Sequence, residues 1–206
     1  YFELPWEGDE DDDTLIFSPS VKKADIWFNV DTTGSMGGEI SKLKNTLSSY
    51  IIPQTQSRIS DSAFGVSQFR DENEVTLILQ HPTTDAAAAQ NKVNGLGASG
   101  GGDYPEAGYW SLYNVVTGAS WRHGTMPIFI HITDATTHER GGVTRNMAVT
   151  ALQGRGAKVI TVFSGSDSTA INQLNDLSNS TGAVVPECAG AGRTTLRYSI
   201  SSAGSG

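Results

Sequence analysis

One pattern occurs twice in this chain and constrains its fold more than any other: a β-rich apolar run that ends on an aspartate. Ala24-Asp25-Ile26-Trp27-Phe28-Asn29-Val30 runs into Asp31, and Ile128-Phe129-Ile130-His131-Ile132-Thr133 runs into Asp134. The second run is almost continuously apolar, as a strand is when helices cover both faces of its sheet. A carboxylate at the end of such a strand has no packing role, because desolvating it without a partner costs free energy.

The stretches between these runs read as helices and further strands. Ile40, Leu43, Leu47, Tyr50 and Ile51 recur at helical spacing and form one apolar stripe, which Pro53 ends or kinks. Residues 64–69 and 75–79 read as two strands of an antiparallel hairpin. Thr84 can cap an Ala-rich helix that begins near Asp85, and a Gly-rich stretch, 95–102, follows it. Helices are expected over 105–116 and 143–152, then a strand over 158–163. A helix carrying Ile171, Leu174 and Leu177 precedes a short last strand, Ala183-Val184-Val185. Strands alternating with helices predict a doubly wound α/β fold: a mostly parallel central sheet, one antiparallel edge strand, and helices on both faces. In such sheets ligands sit beyond the carboxyl ends of the strands, so Asp31 and Asp134 fall in one predicted place.

The 206 residues suffice for one large domain. Residues 1–21 read as an acidic lead-in with an extra edge strand at Leu15-Ile16-Phe17, residues 22–200 as the domain, and residues 201–206 as a flexible tail. Within the lead-in, Asp9-Glu10-Asp11-Asp12-Asp13 repels itself and reads as a solvated loop, with a calcium-binding loop as the other reading. The net charge of −8 and the lack of a Lys/Arg cluster argue against a nucleic-acid partner. Cys188 is the only cysteine, so no internal disulfide forms. No apolar run reaches the ~18 residues of a transmembrane helix. The abrupt beginning at Tyr1 suggests a piece of a larger protein.

Three motifs carry chemistry. Asp31-Thr32-Thr33-Gly34-Ser35-Met36 places a carboxylate and two hydroxyls at alternate positions after a buried strand, where they can converge. Hard oxygen ligands of this kind suit Mg²⁺, Mn²⁺ or Ca²⁺ rather than zinc. Taken alone, Ser35 also reads as a helix cap and Asp31 as a turn cap. Ser99-Gly100-Gly101-Gly102-Asp103-Tyr104-Pro105-Glu106 brings Asp103 and Glu106 to a helix entrance, where an ordinary capping box is the alternative. The third motif is Asp134, which can equally cap the segment after its strand.

Taken in order, these motifs resemble the von Willebrand factor A domain and its metal-ion-dependent adhesion site. That family carries Asp-x-Ser/Thr-x-Ser after the first strand, a ligand from a second loop, and an Asp after the fourth strand. The resemblance spans roughly residues 22–190 and implies a cation, Mg²⁺ or else Mn²⁺ or Ca²⁺, held by Asp31, Thr33, Ser35, Asp103, Glu106 and Asp134. The second loop is similar to that of integrin β subunits, which implies Glu106 as a ligand and a second Ca²⁺ near Asp71, Asp103 and Glu106. Gly38-Glu39 stands where those subunits carry paired acids for a third ion, and Gly101 replaces an Asn ligand.

The function this implies is metal-dependent protein binding, in which a partner's Asp or Glu completes the coordination shell. Tyr104, Thr136 and Thr137 flank the expected ion as a partner rim. A structural scaffold within a larger assembly is the alternative. A metal hydrolase is a third, weakened because no general base stands beyond the ligands, so the expectation is a non-enzyme. The resemblance and the scarcity of Lys point to an extracellular or cell-surface setting. His131 reads as a core histidine with a satisfied hydrogen bond. His138-Glu139 completes no zinc pattern.

Overall fold

A computed structural model describes residues 21–71, 74–75, 77–102, 104–185, 194–195 and 197–200. Strand β1 is Lys23–Asp31, followed by a 3₁₀ turn at Gly34–Met36 and helix α1, Gly37–Thr46. A wider π turn, Leu47–Ile51, joins α1 to α2, Ile52–Arg58. Pro53 therefore does not end the predicted helix, which passes through the π turn just before it. It sits in the first turn of α2, directly after the π turn, where the wider backbone spacing accommodates its ring.

Next come β2, Asp61–Phe69, β3, Ile78–Thr83, α3, Ala86–Asn94, and α4, Gly108–Gly118. Then follow β4, Met126–Thr133, α5, Arg145–Gly154, β5, Lys158–Ser164, and α6, Ser168–Ser180. Three short strands complete the described chain: β6, Val184–Val185, β7, Thr194–Thr195, and β8, Arg197–Ile200.

The central sheet has the order β3-β2-β1-β4-β5-β8. β1 pairs in parallel with both β2 and β4, β5 lies parallel to β4, and β8 lies parallel to β5. Only the edge strand β3 runs antiparallel, against β2. The α/β sheet with one antiparallel edge strand is as expected. The short last strand is placed differently: Val184–Val185 pairs with β7 in a separate two-stranded sheet, and β8 takes the sheet edge. The lead-in strand at Leu15-Ile16-Phe17 and the tail 201–206 lie outside the described residues.

Alternation along β1 divides the two cores. Ile26, Phe28 and Val30 face a cluster with Ile40, Leu43, Leu47 and Val93 from α1, the π turn and α3. Trp27 faces the other side with Leu112, Val116, Val149 and Leu177 from α4, α5 and α6. That second face also holds a buried polar chain. The Trp27 indole N–H donates to Ser67 Oγ (2.7 Å), and Ser67 and Ser111 donate to Asn29 Oδ1 (2.6 and 2.7 Å). Asn29 Nδ2 in turn meets His131 Nδ1 at 2.9 Å, so His131 is the satisfied core histidine expected. Its ring stacks on Phe69, with centroids 5.2 Å apart.

The chain leaves β1 for β2 on one side and reaches β4 on the other. The crevice between the carboxyl ends of β1 and β4 is thus the sheet's topological switch point. Both aspartates stand there.

Candidate metal centre

Asp31 is the last residue of β1 and fully buried. Its Oδ1 accepts from the Thr33 backbone N–H (2.9 Å) and the Thr33 hydroxyl (2.8 Å), and its Oδ2 accepts from Thr133 Oγ1 (2.7 Å). Burial pushes its carboxyl up to about 6, against the opposing pull of these hydrogen bonds. The Thr33 and Ser35 hydroxyls lie 3.5 Å apart, as the alternating motif requires. Ser35 also hydrogen-bonds Asp134, which is half-buried. Burial raises the Asp134 carboxyl, and the nearby charge of Glu39 adds to the rise.

The second loop closes over the first. Gly34 N–H donates to the Gly100 carbonyl (3.1 Å), and Ser99 N–H donates to the Thr32 carbonyl (3.1 Å). Arg70, just after β2, fastens the same junction: its Nε donates to the Thr32 carbonyl (3.0 Å) and a terminal nitrogen to the Gly97 carbonyl (3.3 Å). Gly101 has φ +81°, and a Cβ there would stand 2.8 Å from the Thr33 methyl and 3.1 Å from Glu106 Oε1. Only glycine permits this approach. Glu106 itself is buried, and its main chain spans toward the loop after β4. Glu106 N–H donates to the Thr136 carbonyl (2.9 Å), and His138 N–H to the Glu106 carbonyl (3.1 Å).

Together these segments enclose a cavity of about 410 Å³ whose lining includes Thr33, Ser35, Gly101, Tyr104, Glu106 and Asp134. Of the candidate ligands, Thr33, Ser35, Glu106 and Asp134 line this one cavity, while Asp103 lies outside the described residues. Asp31 sits behind Thr33 and does not line the cavity.

Asp71 is placed otherwise. Its Oδ1 accepts from an Arg140 nitrogen (3.2 Å) in the segment after β4, and the His138 ring lies beside it, with Nε2 at 3.2 Å. The three expected rim residues differ in exposure. Tyr104 is 54% exposed and donates from its hydroxyl to Asp167 Oδ2 (3.0 Å), at the N-terminus of α6. Thr136 is buried, and its carbonyl accepts from the Glu106 N–H. Thr137 is half-buried and clamped by Gln173, which accepts from its N–H (2.9 Å) and donates to its carbonyl (2.9 Å).

No motif in the sequence marks Arg70, Thr133 or Gln173, because their contacts all join elements far apart in the chain. Glu39 stands out in the sequence only as a departure from the integrin-like pattern. Glu39 is buried in the first turn of α1, and its Oε1 accepts from Ser164 Oγ (2.6 Å) at the end of β5.

The donor set suits a hard cation. Hydroxyl and carboxylate oxygens face one cavity, while Arg70 points its guanidinium at carbonyls. Among the described residues no three of His, Cys, Asp and Glu gather closely enough to form a metal site by themselves. An ion here would therefore depend on the hydroxyls of Thr33 and Ser35 and on water, which is Mg²⁺-like chemistry.

The comparisons agree with the fold. The SpRpn10 VWA domain, a crystal structure, aligns over 88% of this chain and 88% of its own, at a TM-score of 0.58 and 12% identity, which shows a shared fold. No curated protein matches the chain. A family profile described as the von Willebrand factor A domain matches residues 25–189, and the chain belongs to that family, whose members are generally protein-interaction modules.

Proposed function

We propose that this domain binds a protein ligand through a divalent cation at the switch point, Mg²⁺ or else Mn²⁺ or Ca²⁺. The observation that carries this reading is the convergence of Thr33, Ser35, Glu106 and Asp134, from three distant segments, on one polar cavity. Thr33 and Ser35 would offer hydroxyl oxygens, and Asp134 and Glu106 carboxylates. Asp31 orients Thr33 from behind through its hydrogen bonds. A bound cation supplies positive charge with coordination positions left to water, which an Asp or Glu of the partner can displace. Tyr104 offers an exposed aromatic ring beside that position. No residue in the cavity is assigned a catalytic role. A second Ca²⁺ near Asp71, Asp103 and Glu106 would require Asp71 to exchange its contacts with His138 and Arg140. The setting that fits such a binder is extracellular or at a cell surface.

One observation favours a second reading, a scaffold domain of a larger assembly whose site is structural. Asp31 has both oxygens satisfied by protein donors. Calorimetric titration with Mg²⁺, Mn²⁺ and Ca²⁺ separates the two. Saturable binding that Asp134→Ala and Thr33→Val abolish supports the metal reading. Titrations that give no heat, or equal heat in these variants, would leave the scaffold.

A further inference from the structure

We propose that Glu39 is a positioning residue for the divalent cation assigned to the cavity above, the reading on which this role rests: one oxygen of its carboxylate accepts a hydrogen bond from a water in the ion's shell and fixes that water, leaving the other waters for a partner's carboxylate to displace. Glu39 is 6% exposed, and its Oε1 accepts from Ser164 Oγ at 2.6 Å. Its Oε2 is buried and has no hydrogen-bond partner among the described residues. Placement in the first turn of α1 favours a negative charge through the helix dipole, but it supplies this oxygen with no donor. A buried carboxylate oxygen left without a donor costs free energy, so it marks where a donor from outside the chain belongs.

The surrounding contacts put that carboxylate directly behind Asp134. Ser35 and Glu39 stand four residues apart on the contiguous turns that open α1, so they share a face. Thr133 pairs with Phe163 across β4 and β5, which makes Asp134 and Ser164 the next residues at the ends of these neighbouring strands. Ser164 holds Glu39, and the charge of Glu39 is felt at the Asp134 carboxyl. Ser35 has one proton, which it donates to Asp134, so it cannot also serve Glu39 Oε2. Glu39 does not line the cavity, so it meets an ion there through a bound water and not as a ligand. Groups one layer behind the ligands commonly fix a metal site in this way. Mg²⁺ suits the arrangement because it keeps several waters, and a water polarised by the ion is a strong donor to a carboxylate.

The test titrates the full chain with Mg²⁺ alone, as parent, Glu39→Gln, Ser164→Ala and the double variant. Calorimetry should show a single Mg²⁺ site in the parent, with affinity weakened by about 10–100-fold in Glu39→Gln. Ser164→Ala should weaken it less, and should add nothing in the Glu39→Gln background, because it acts through Glu39. Without metal, Glu39→Gln should leave Tm unchanged or raise it, since it neutralises a buried charge that lacks a partner. A purely structural Glu39 predicts the reverse, a lower metal-free Tm with unaltered Mg²⁺ affinity. That result, additive losses in the double variant, or a second Mg²⁺ that disappears in Glu39→Gln overturns the proposal. A parent that binds no Mg²⁺ overturns the cation reading itself, and the role of Glu39 with it.

Discussion

Trp27 occupies the space that a side chain at position 65 would need. A Cβ built on Gly65 of β2 would lie 2.3 Å from the indole of its neighbour on β1. The ring cannot retreat, because its N–H is fixed on Ser67 and it packs against Trp121 and Phe129. Gly65→Ala should therefore cost about 2–3 kcal/mol in chemical denaturation, and clearly less when the same change is made in a Trp27→Leu background. His131 makes a second residue-scale case. Full burial holds its imidazole down at about 4, below its ordinary 6.5. The unfolded chain then binds more protons than the folded one between those values, so this residue's contribution to stability is full above pH 6.5 and lost as pH falls toward 4. The slope amounts to about 3 kcal/mol across that window. Asp31, with its carboxyl raised to about 6, pulls the other way, so the term must be isolated by difference. His131→Asn, which retains an acceptor for Asn29, should lose less stability than the parent between pH 6.5 and 4. Parallel pH profiles would refute this. Asp31 and Asp134 were legible in the sequence because each interrupts an apolar run. Gly65 and Arg70 were not, since what matters at each is a neighbour brought close only by strand pairing and loop closure.

At the scale of elements, the sequence named each major helix and strand but placed several ends wrongly, and the reasons are tertiary. Helix α4 was expected from Pro105, yet begins at Gly108. The Glu106 main chain is spent on Thr136 and His138, so it cannot enter the helical ladder. That displacement is what holds Glu106 in the cavity. Strand β3 was expected over 75–79 and instead runs Ile78–Thr83 through Pro82, which an edge strand tolerates because one row of its N–H groups has no ladder partner. The cap of α3 is Asp85 rather than Thr84. Asp85 Oδ1 accepts from Ala87 N (2.9 Å) and Ala88 N (3.2 Å), and Asp85 N–H donates to Thr83 Oγ1. Asp85→Ala should destabilise the protein by about 1 kcal/mol, while Thr84→Ala should lie within about 0.5 kcal/mol of the parent. Equal effects in urea titrations would return the cap to Thr84.

For the whole molecule, the candidate centre is the place where the two halves of the sheet are joined by loops instead of strands. Thr33, Glu106 and Asp134 come from segments about 30 to 100 residues apart in the chain, and in the folded domain they share one cavity. An ion there would bind the folded state and not the separated segments of the unfolded one. Its binding free energy would then appear as stability of the entire domain. At Mg²⁺ one hundred-fold above its dissociation constant the gain is about 2.7 kcal/mol, which for a domain of this size raises Tm by roughly 5–10 °C. Chelation should reverse the rise, and Asp134→Ala should remove the response while leaving the fold intact, because Asp134 is only half-buried. Glu106→Gln should weaken the response without abolishing it, since the amide keeps a neutral oxygen at the cavity wall. Scans of parent and variants with Mg²⁺ and with chelator decide the matter. A parent Tm that ignores both would mean that these oxygens hold the loops together by hydrogen bonds alone.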